Sequence, residues 1–101
     1  MTNIQDVLKA APEAYTLLFE NEKVRVMEVS LKPGQKAPMH NHPSSHIVYV
    51  TKDAKFKLSF PDGKNQEIDL KAGKAVWMPA GQHETENVGK TDGLNVVIEV
   101  K

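Results

Sequence analysis

Residues 34–46 of the chain read Gly-Gln-Lys-Ala-Pro-Met-His-Asn-His-Pro-Ser-Ser-His. Three of the four histidines lie in this stretch, at positions 40, 42 and 46, and the fourth is His83. Alternate residues of a β-strand point to the same side, so His40 and His42 are expected to share one face. The Pro43-Ser44-Ser45 bend then predicts that the next segment brings His46 back towards them. Imidazole is the commonest side-chain ligand of divalent transition metals, so this convergence indicates a metal site.

Most of the surrounding sequence has the two-residue periodicity of β-strands. Six runs are expected to form strands: 24–31, 46–51, 55–60, 67–71, 75–78 and 94–101. Pro61-Asp62-Gly63 is typical of the turn of a hairpin between the third and fourth runs. In the first run the apolar phase slips near Glu28, which indicates either a bulge or a strand packed on both faces. Residues 46–51 and 75–78 are apolar on both faces and predict interior strands.

Six or more short strands separated by turn signals predict an all-β sandwich or barrel. A chain of 101 residues is long enough for one hydrophobic core, and we expect one β-barrel domain over residues 14–101. Residues 1–13 are expected to form an N-terminal arm or short helix, with Asn3 as its cap and Ala11 as its end. Five apolar strand residues are expected in the core: Phe56, Leu58, Phe60, Trp77 and Met78.

The composition excludes several classes of function. Thirteen basic and thirteen acidic residues leave no net charge, so we expect no nucleic-acid partner and no anionic membrane partner. The absence of cysteine excludes disulfides, thiolate metal sites and a cysteine nucleophile. The first ten residues do not resemble a signal peptide and no run has membrane-spanning length, so we expect a cytoplasmic protein. The expected partners are small molecules or further copies of the chain.

Two motifs in this chain resemble those of the cupin family. The first motif consists of Gly34, His40, His42 and His46, and the second of Gly73, Pro79, Gly81, His83 and Asn87. Together they cover about half of the chain in the expected order. The resemblance implies a jelly-roll barrel, also called a double-stranded β-helix, with a metal inside its mouth and a homodimeric assembly.

The resemblance also implies the ligand set. His40, His42, His46 and His83 are expected to bind one divalent transition metal ion, which four nitrogen donors leave open among Fe, Ni, Zn, Cu and Mn. Because neutral imidazoles bind the metal, we expect it to be lost below about pH 6. Glu84 and Glu86 flank His83, but on a strand they face away from it and are expected to be solvated.

Three positions depart from the family pattern. His46 stands where the family usually has glutamate, Gln82 alone separates Gly81 from His83, and Asp53 replaces a glycine. Asp53 is a mild change because aspartate tolerates turn conformations, and Gly81 can absorb the missing residue. His46 is the substantive one, since replacing a carboxylate by a neutral imidazole raises the charge of the site and favours M(II) over M(III).

Three functions are consistent with these residues. The first is a mononuclear metal enzyme of dioxygenase or isomerase type acting on a small organic molecule. The second is a module that binds or senses a small molecule without turnover, which the lack of an obvious acid or base near the histidines favours. In the third the metal is purely structural. The fold does not choose among them, because one fold carries many chemistries.

Overall fold

The computed structural model describes residues 4–101, which form one short helix and nine strands. In chain order the elements are α1 (Val7–Ala10), β1 (Tyr15–Glu20), β2 (Val24–Leu31), β3 (Lys36–His42), β4 (His46–Val50), β5 (Ala54–Ser59), β6 (Asn65–Leu70), β7 (Ala75–Met78), β8 (Gly81–Asn87) and β9 (Gly93–Val100).

The strands form two antiparallel sheets that enclose the core between their inner faces. One sheet has five strands in the order β1-β2-β9-β4-β7, and the other has four in the order β3-β8-β5-β6. Strands β5 and β6 form the hairpin that the Pro61-Asp62-Gly63 turn predicts, and Gly63 supplies a positive φ of 89°. The all-β fold class is thereby confirmed, including the short helix that precedes the barrel.

The structure of β2 explains why the apolar alternation shifts near Glu28. It pairs with β9 from Val24 to Leu31 without a register shift, so the strand carries apolar residues on both faces and has no bulge. The inner face contains Met27 and Leu31 together with the charged Arg25, all of them buried. Arg25 interrupts the inward-facing series of apolar residues, and this interruption appears in the sequence as a shift of the alternation.

Strand β7 corrects another prediction. Residues 75–78 were expected to be an interior strand, but β7 lies at the edge of the five-stranded sheet, whereas β4 is interior as expected. Trp77 is 61% exposed, so its assignment to the core is wrong. Phe56 and Leu58 are buried as predicted, while Phe60 and Met78 are half-buried.

The N-terminal helix is shorter than the sequence predicts, because α1 covers only Val7–Ala10. The cap of α1 is Asp6, whose carboxylate accepts a hydrogen bond of 3.2 Å from the backbone N–H of Leu8. The expected cap Asn3 lies outside the described residues. The helix packs against β1 and β3, and the N–H of Asn41 donates to the carbonyl of Gln5 at 2.8 Å. No helix in residues 4–101 is both long and apolar enough to cross a membrane.

Strand β1 was not predicted from the sequence. Only Tyr15 is buried among its six residues, and a register shift between Leu17 and Phe19 marks a bulge against β2. An exposed edge strand with a bulge does not need alternating polarity, so periodicity could not reveal it.

Candidate metal centre

The four histidines come from both sheets. His40 and His42 lie on β3 and His83 on the neighbouring β8, where His83 is directly opposite His40 in the register. His46 begins β4 in the facing sheet, after the Pro43-Ser44-Ser45 bend has carried the chain across. All four side chains are buried, with exposed fractions of 0 to 7%.

A bulge in β3 sets the direction of His40. The pairing with β8 shifts between Ala37 and His40, so that both residues point inward although they are three positions apart. The spacing of His40 and His42 then places both rings on the inner face, as the sequence predicts. The single residue Gln82 between Gly81 and His83 does not remove His83 from this group, because Gly81 has a φ of 148° and pairs with His42.

Three histidines meet the geometric requirement for one metal ion. His40, His42 and His83 each offer a ring nitrogen, and these nitrogens lie within 4.8 Å of one another. The ring of His46 stacks on that of His42, with centroids 4.3 Å apart and planes 27° apart. The structure therefore brings all four predicted residues together, with three of them at ligand spacing and the fourth in contact with them.

Hydrogen bonds to backbone carbonyls outside the cluster determine which ring nitrogen of His40 and of His46 has a free lone pair. The Nδ1 atom of His40 lies 2.6 Å from the carbonyl oxygen of Pro38, and that of His46 lies 3.2 Å from the carbonyl oxygen of Ser44. A carbonyl can only accept, so both rings carry their proton on Nδ1 and leave Nε2 with a lone pair. The Nε2 atom of His40 is buried and has no hydrogen-bond partner among residues 4–101. A buried nitrogen lone pair without a hydrogen-bond partner is consistent with a metal ligand at this position.

Burial keeps these rings neutral at physiological pH. It lowers the pKa of His40 to about 4 and that of His83 to about 3, and it also lowers the pKa of His46. The neighbouring imidazoles act in the same direction, because a second positive charge in the cluster would be repelled. At these three positions a cation can therefore bind without first displacing a proton.

Three residues behind His42 were missed by the sequence analysis. The Nδ1 atom of His42 donates to Glu99 at 2.9 Å, and the other carboxylate oxygen of Glu99 accepts from Nε of Arg25 at 2.7 Å. Arg25 then binds both carboxylate oxygens of Asp6 at 2.9 Å. Burial alone would raise the pKa of Glu99, but the hydrogen bonds from His42 and Arg25 hold it below its ordinary value. Glu99 is thus an anion that orients His42.

A sequence signal for this network did exist. Arg25 lies on the same face of β2 as Met27, Val29 and Leu31. A charged residue on a buried face requires a partner of opposite charge. The partner could not be named from the sequence, because Arg25 and Glu99 are 74 positions apart. They become neighbours only through the pairing of β2 with β9.

Several other motif residues serve the fold. The Asn87 amide donates to the carbonyls of Leu31 and Thr91, and Asp53 accepts from the N–H of Ala72 at 2.8 Å. Glu84 lies on the outer side of β8, where it forms an ion pair of 3.4 Å with Lys36. Glu84 therefore faces away from His83, as predicted, and is no candidate for a catalytic base.

A cavity of about 40 Å³ adjoins the histidines inside the barrel. Its walls include His42, His46 and His83 at one side, and the rest of its lining is mostly aliphatic and aromatic. Within residues 4–101 no carboxylate lines it. The metal site thus faces a mainly apolar chamber whose titratable groups, within residues 4–101, are the imidazoles and the Tyr15 phenol, and burial raises the pKa of that phenol.

Comparison with known proteins agrees with this architecture. The chain is similar to the crystal structure of a cupin domain from Bordetella pertussis Tohama I, with 25% identity, a TM-score of 0.79 and coverage of 100% of this chain and 98% of that one. An RmlC-like cupin family protein with a double-stranded β-helix fold from Methanocaldococcus jannaschii has 20% identity and a TM-score of 0.69, with coverage of 85% and 77%.

A more distant structural likeness is to the DMSP lyase DddQ of Ruegeria pomeroyi, at 14% identity and a TM-score of 0.63, over 89% of this chain and 48% of that one. That likeness shows the fold alone. The comparison with curated proteins finds no significant match. The model of the cupin domain family matches residues 27–99, which contain all four predicted ligands and Glu99. The chain belongs to the cupin family.

Proposed function

We propose that this protein is a mononuclear metal-dependent enzyme acting on a small organic molecule. His40, His42 and His83 would hold a divalent ion, and His46 is the proposed fourth ligand. The observation that carries the proposal is the convergence of the buried His40, His42 and His83 imidazoles, with the Nδ1 protons of His40 and His42 held by acceptors outside the cluster. When bound, such an ion supplies Lewis acidity, and a redox-active one also supplies one-electron chemistry towards dioxygen.

The protein's own residues supply orientation and exclusion of water. Glu99 fixes the tautomer of His42, and the Pro38 carbonyl does the same for His40. The apolar cavity keeps bulk water from the reacting molecule and strengthens electrostatic interactions within it. A dioxygenase or an isomerase with a small enolisable or aromatic substrate uses these features best.

Metal binding is the first test of this function. Protein made without an affinity tag, stripped with a chelator and titrated with Fe(II), Ni(II) or Zn(II), is expected to bind one ion per chain. His40→Ala should abolish this stoichiometry, whereas Glu84→Gln on the outer side of β8 should leave it unchanged. Oxygen uptake by the Fe(II) form with small diketones and catechols then tests dioxygenase activity, and proton NMR of the same compounds tests isomerisation. A protein that binds no ion would refute the proposal.

A second function is favoured by one specific observation. Within the described residues no carboxylate lines the cavity, and Glu99 is already bound to His42 and Arg25. Substrates that need a general base have only the imidazoles to provide it. A binding or sensing protein needs no such base. A ligand that raises the melting temperature of the metal-loaded protein and is recovered unchanged would support this alternative.

We also propose that the chain forms a homodimer through the outer face of its five-stranded sheet. One row of this face crosses all five strands in register and is entirely apolar: Phe19, Val26, Ile98, Ile47 and Trp77. Phe19 and Trp77 at its two ends are 54% and 61% exposed. A contiguous apolar row of this width is typical of a surface that a second copy covers.

A further inference from the structure

The two sheets leave two open seams, and within the described residues only one of them is covered. Strands β1 and β3 are free edges on one side of the barrel, and α1 packs against both of them. On the other side the free edges are β6 and β7, and no strand pairing joins them in the described part of the chain. The barrel is therefore open between β6 and β7.

A surface pocket lies in this open seam and leads to the metal site. It has a volume of about 460 Å³ and is lined by residues of β5, β6, β7 and β8 and of the turns beside them. Five residues line both this pocket and the inner cavity: Leu58, Ile68, Val76, Met78 and His83. Because the two spaces share a wall that includes His83, the seam offers a route from solvent to the histidines.

The lining of this path is uncharged. The chain has 13 basic and 13 acidic side chains, yet none of them lines the pocket or the cavity within residues 4–101. The polar groups of the lining are imidazole, amide and hydroxyl groups, none of which carries a permanent charge. A carboxylate or phosphate moving along the path would lose its hydration without meeting a cationic side chain, which is costly.

Two unpartnered polar groups lie at the inner end of the path. The Thr85 hydroxyl and the Asn95 carboxamide oxygen line the cavity and are buried, and among residues 4–101 neither forms a well-aligned hydrogen bond, although the Tyr15 hydroxyl lies close enough to Thr85 to interact with it. Buried polar atoms in native proteins nearly always have a partner, and here a bound molecule can supply it. The cavity has room for about three water-sized groups, so the part that reaches these atoms is small.

We propose that the seam between β6 and β7 admits a small, uncharged, mainly apolar molecule whose single hydrogen-bonding group is bound by Thr85 and Asn95. This inference rests on the proposed function, because it names the class of molecule that the metal site receives. It also makes a statement about the metal-free protein, since the pocket, the cavity and both polar groups are present without an ion. The two proposals can therefore fail separately.

The test compares two probes that share an aromatic ring and differ in charge, benzyl alcohol and benzoate. Each is titrated into the metal-free, full-length protein while amide chemical shifts are recorded by NMR. Benzyl alcohol should shift the amide signals of Ile68, Val76, Thr85 and Asn95, and should bind about tenfold or more tightly than benzoate. Equal affinities, or shifts confined to residues outside the seam and cavity, would overturn the inference.

Charge variants at the seam sharpen this test. Gln66 is exposed and lines the pocket, whereas its exposed neighbour Asn65 does not. Gln66→Lys should increase the affinity for benzoate severalfold relative to that for benzyl alcohol, while Asn65→Lys should leave this ratio unchanged. If both lysines act alike, the effect is one of net charge and the seam is not the path.

The polar groups are tested by removing the hydroxyl of the probe. Toluene lacks the hydrogen-bonding group of benzyl alcohol, so it should bind more weakly to the natural chain. Asn95→Leu should remove this difference, provided that the dispersion of amide signals shows a folded protein. Thr85→Val, which keeps the shape of the side chain, serves as the second variant. If both variants still bind benzyl alcohol more tightly than toluene, the role of these residues is contradicted.

Failure of Zn(II) to bind, with benzyl alcohol binding intact, would refute the metal proposal alone.

Discussion

The Nδ1 atom of His42 lies 2.9 Å from Oε2 of Glu99, and both side chains are almost completely buried. This pair joins the two sheets, because His42 belongs to β3 and Glu99 to β9. Through Arg25 it continues to Asp6 at the start of α1. The orientation of one proposed ligand therefore depends on residues from three other parts of the chain.

Loss of Glu99 should weaken the metal site without removing any ligand. Glu99→Ala leaves His42 free to rotate and to change tautomer, and carboxylates behind ligating histidines are typically worth about 10 to 100-fold in metal affinity. We expect a loss of that size in competition with a chromophoric chelator. Glu84→Ala removes a carboxylate from the outer side of β8 and is the matched control. Equal affinities for the two variants would show that Glu99 does not position His42.

The same change should destabilise the metal-free fold. Arg25 is only 9% exposed and would lose one of its two carboxylate partners. Breaking a buried ion pair from one side costs about 3 to 5 kcal/mol, and the remaining contact with Asp6 places the expected loss near the lower limit. Urea unfolding of the metal-free protein at neutral pH measures it. A change within about 0.5 kcal/mol, the range of ordinary surface substitutions, would contradict this view of the network.

His46→Glu tests whether His46 is a ligand. A carboxylate at this position adds a negative charge to the site, so it should retain the metal, stabilise the oxidised ion and lower its reduction potential. His46→Gln is the neutral control and should not lower the potential. The measurement is a redox titration of the Fe-loaded proteins. An unchanged potential in the glutamate variant would leave His40, His42 and His83 as the protein ligands, with His46 only stacked on His42.

The metal-free protein should lose stability as the pH falls below about 6.5. The pKa of His40 is lowered to about 4 and that of His83 to about 3, so between these values and 6.5 the unfolded chain binds more protons than the folded one. Each such histidine then costs about 1.4 kcal/mol per pH unit on acidification. Urea unfolding at pH 7.5, 5.5 and 4.5 measures the slope, which His83→Asn should reduce. A flat profile would contradict the neutral, buried cluster.

These lowered pKa values also change the expected pH range of metal binding. From ordinary histidine values the metal would be lost below about pH 6. With His40 and His83 neutral down to about pH 4, proton competition at these two ligands begins only near that value. Metal stoichiometry measured from pH 7 to 4 checks this, and a loss centred at pH 6 would show that the ordinary values apply.

A substitution in the centre of the apolar row should break the proposed dimer. Ile98→Lys places a charge in the middle of the outer face of the five-stranded sheet, whereas Ser30→Lys places it at the periphery of the same face. Light scattering at micromolar concentration should give twice the monomer mass for the natural chain and for Ser30→Lys, and the monomer mass for Ile98→Lys. A monomeric natural chain would end the proposal.

The sequence predicted those features that depend on neighbours along the chain. Alternation of polar and apolar residues located β2, β4, β5, β6, β7 and β9 to within a few residues, because strand periodicity is local. The spacing of His40 and His42 placed them on one face for the same reason. The motifs around His46 and His83 added the expectation that all four histidines meet, and the structure brings them together.

Features that depend on partners across the fold were not predicted. Trp77 has the sequence environment of a core residue, yet it is exposed because β7 is an edge strand. The order of strands in a sheet cannot be predicted from the residues of one strand. The bulge of β3 and the exposed β1 arise from pairing as well. Arg25 and Glu99 could each be noticed as a charge in a strand, but only the register of β2 on β9 makes them neighbours and turns Glu99 towards His42. A strand's own residues encode its two faces, whereas sheet pairing selects which face becomes the inside and which distant charges meet there.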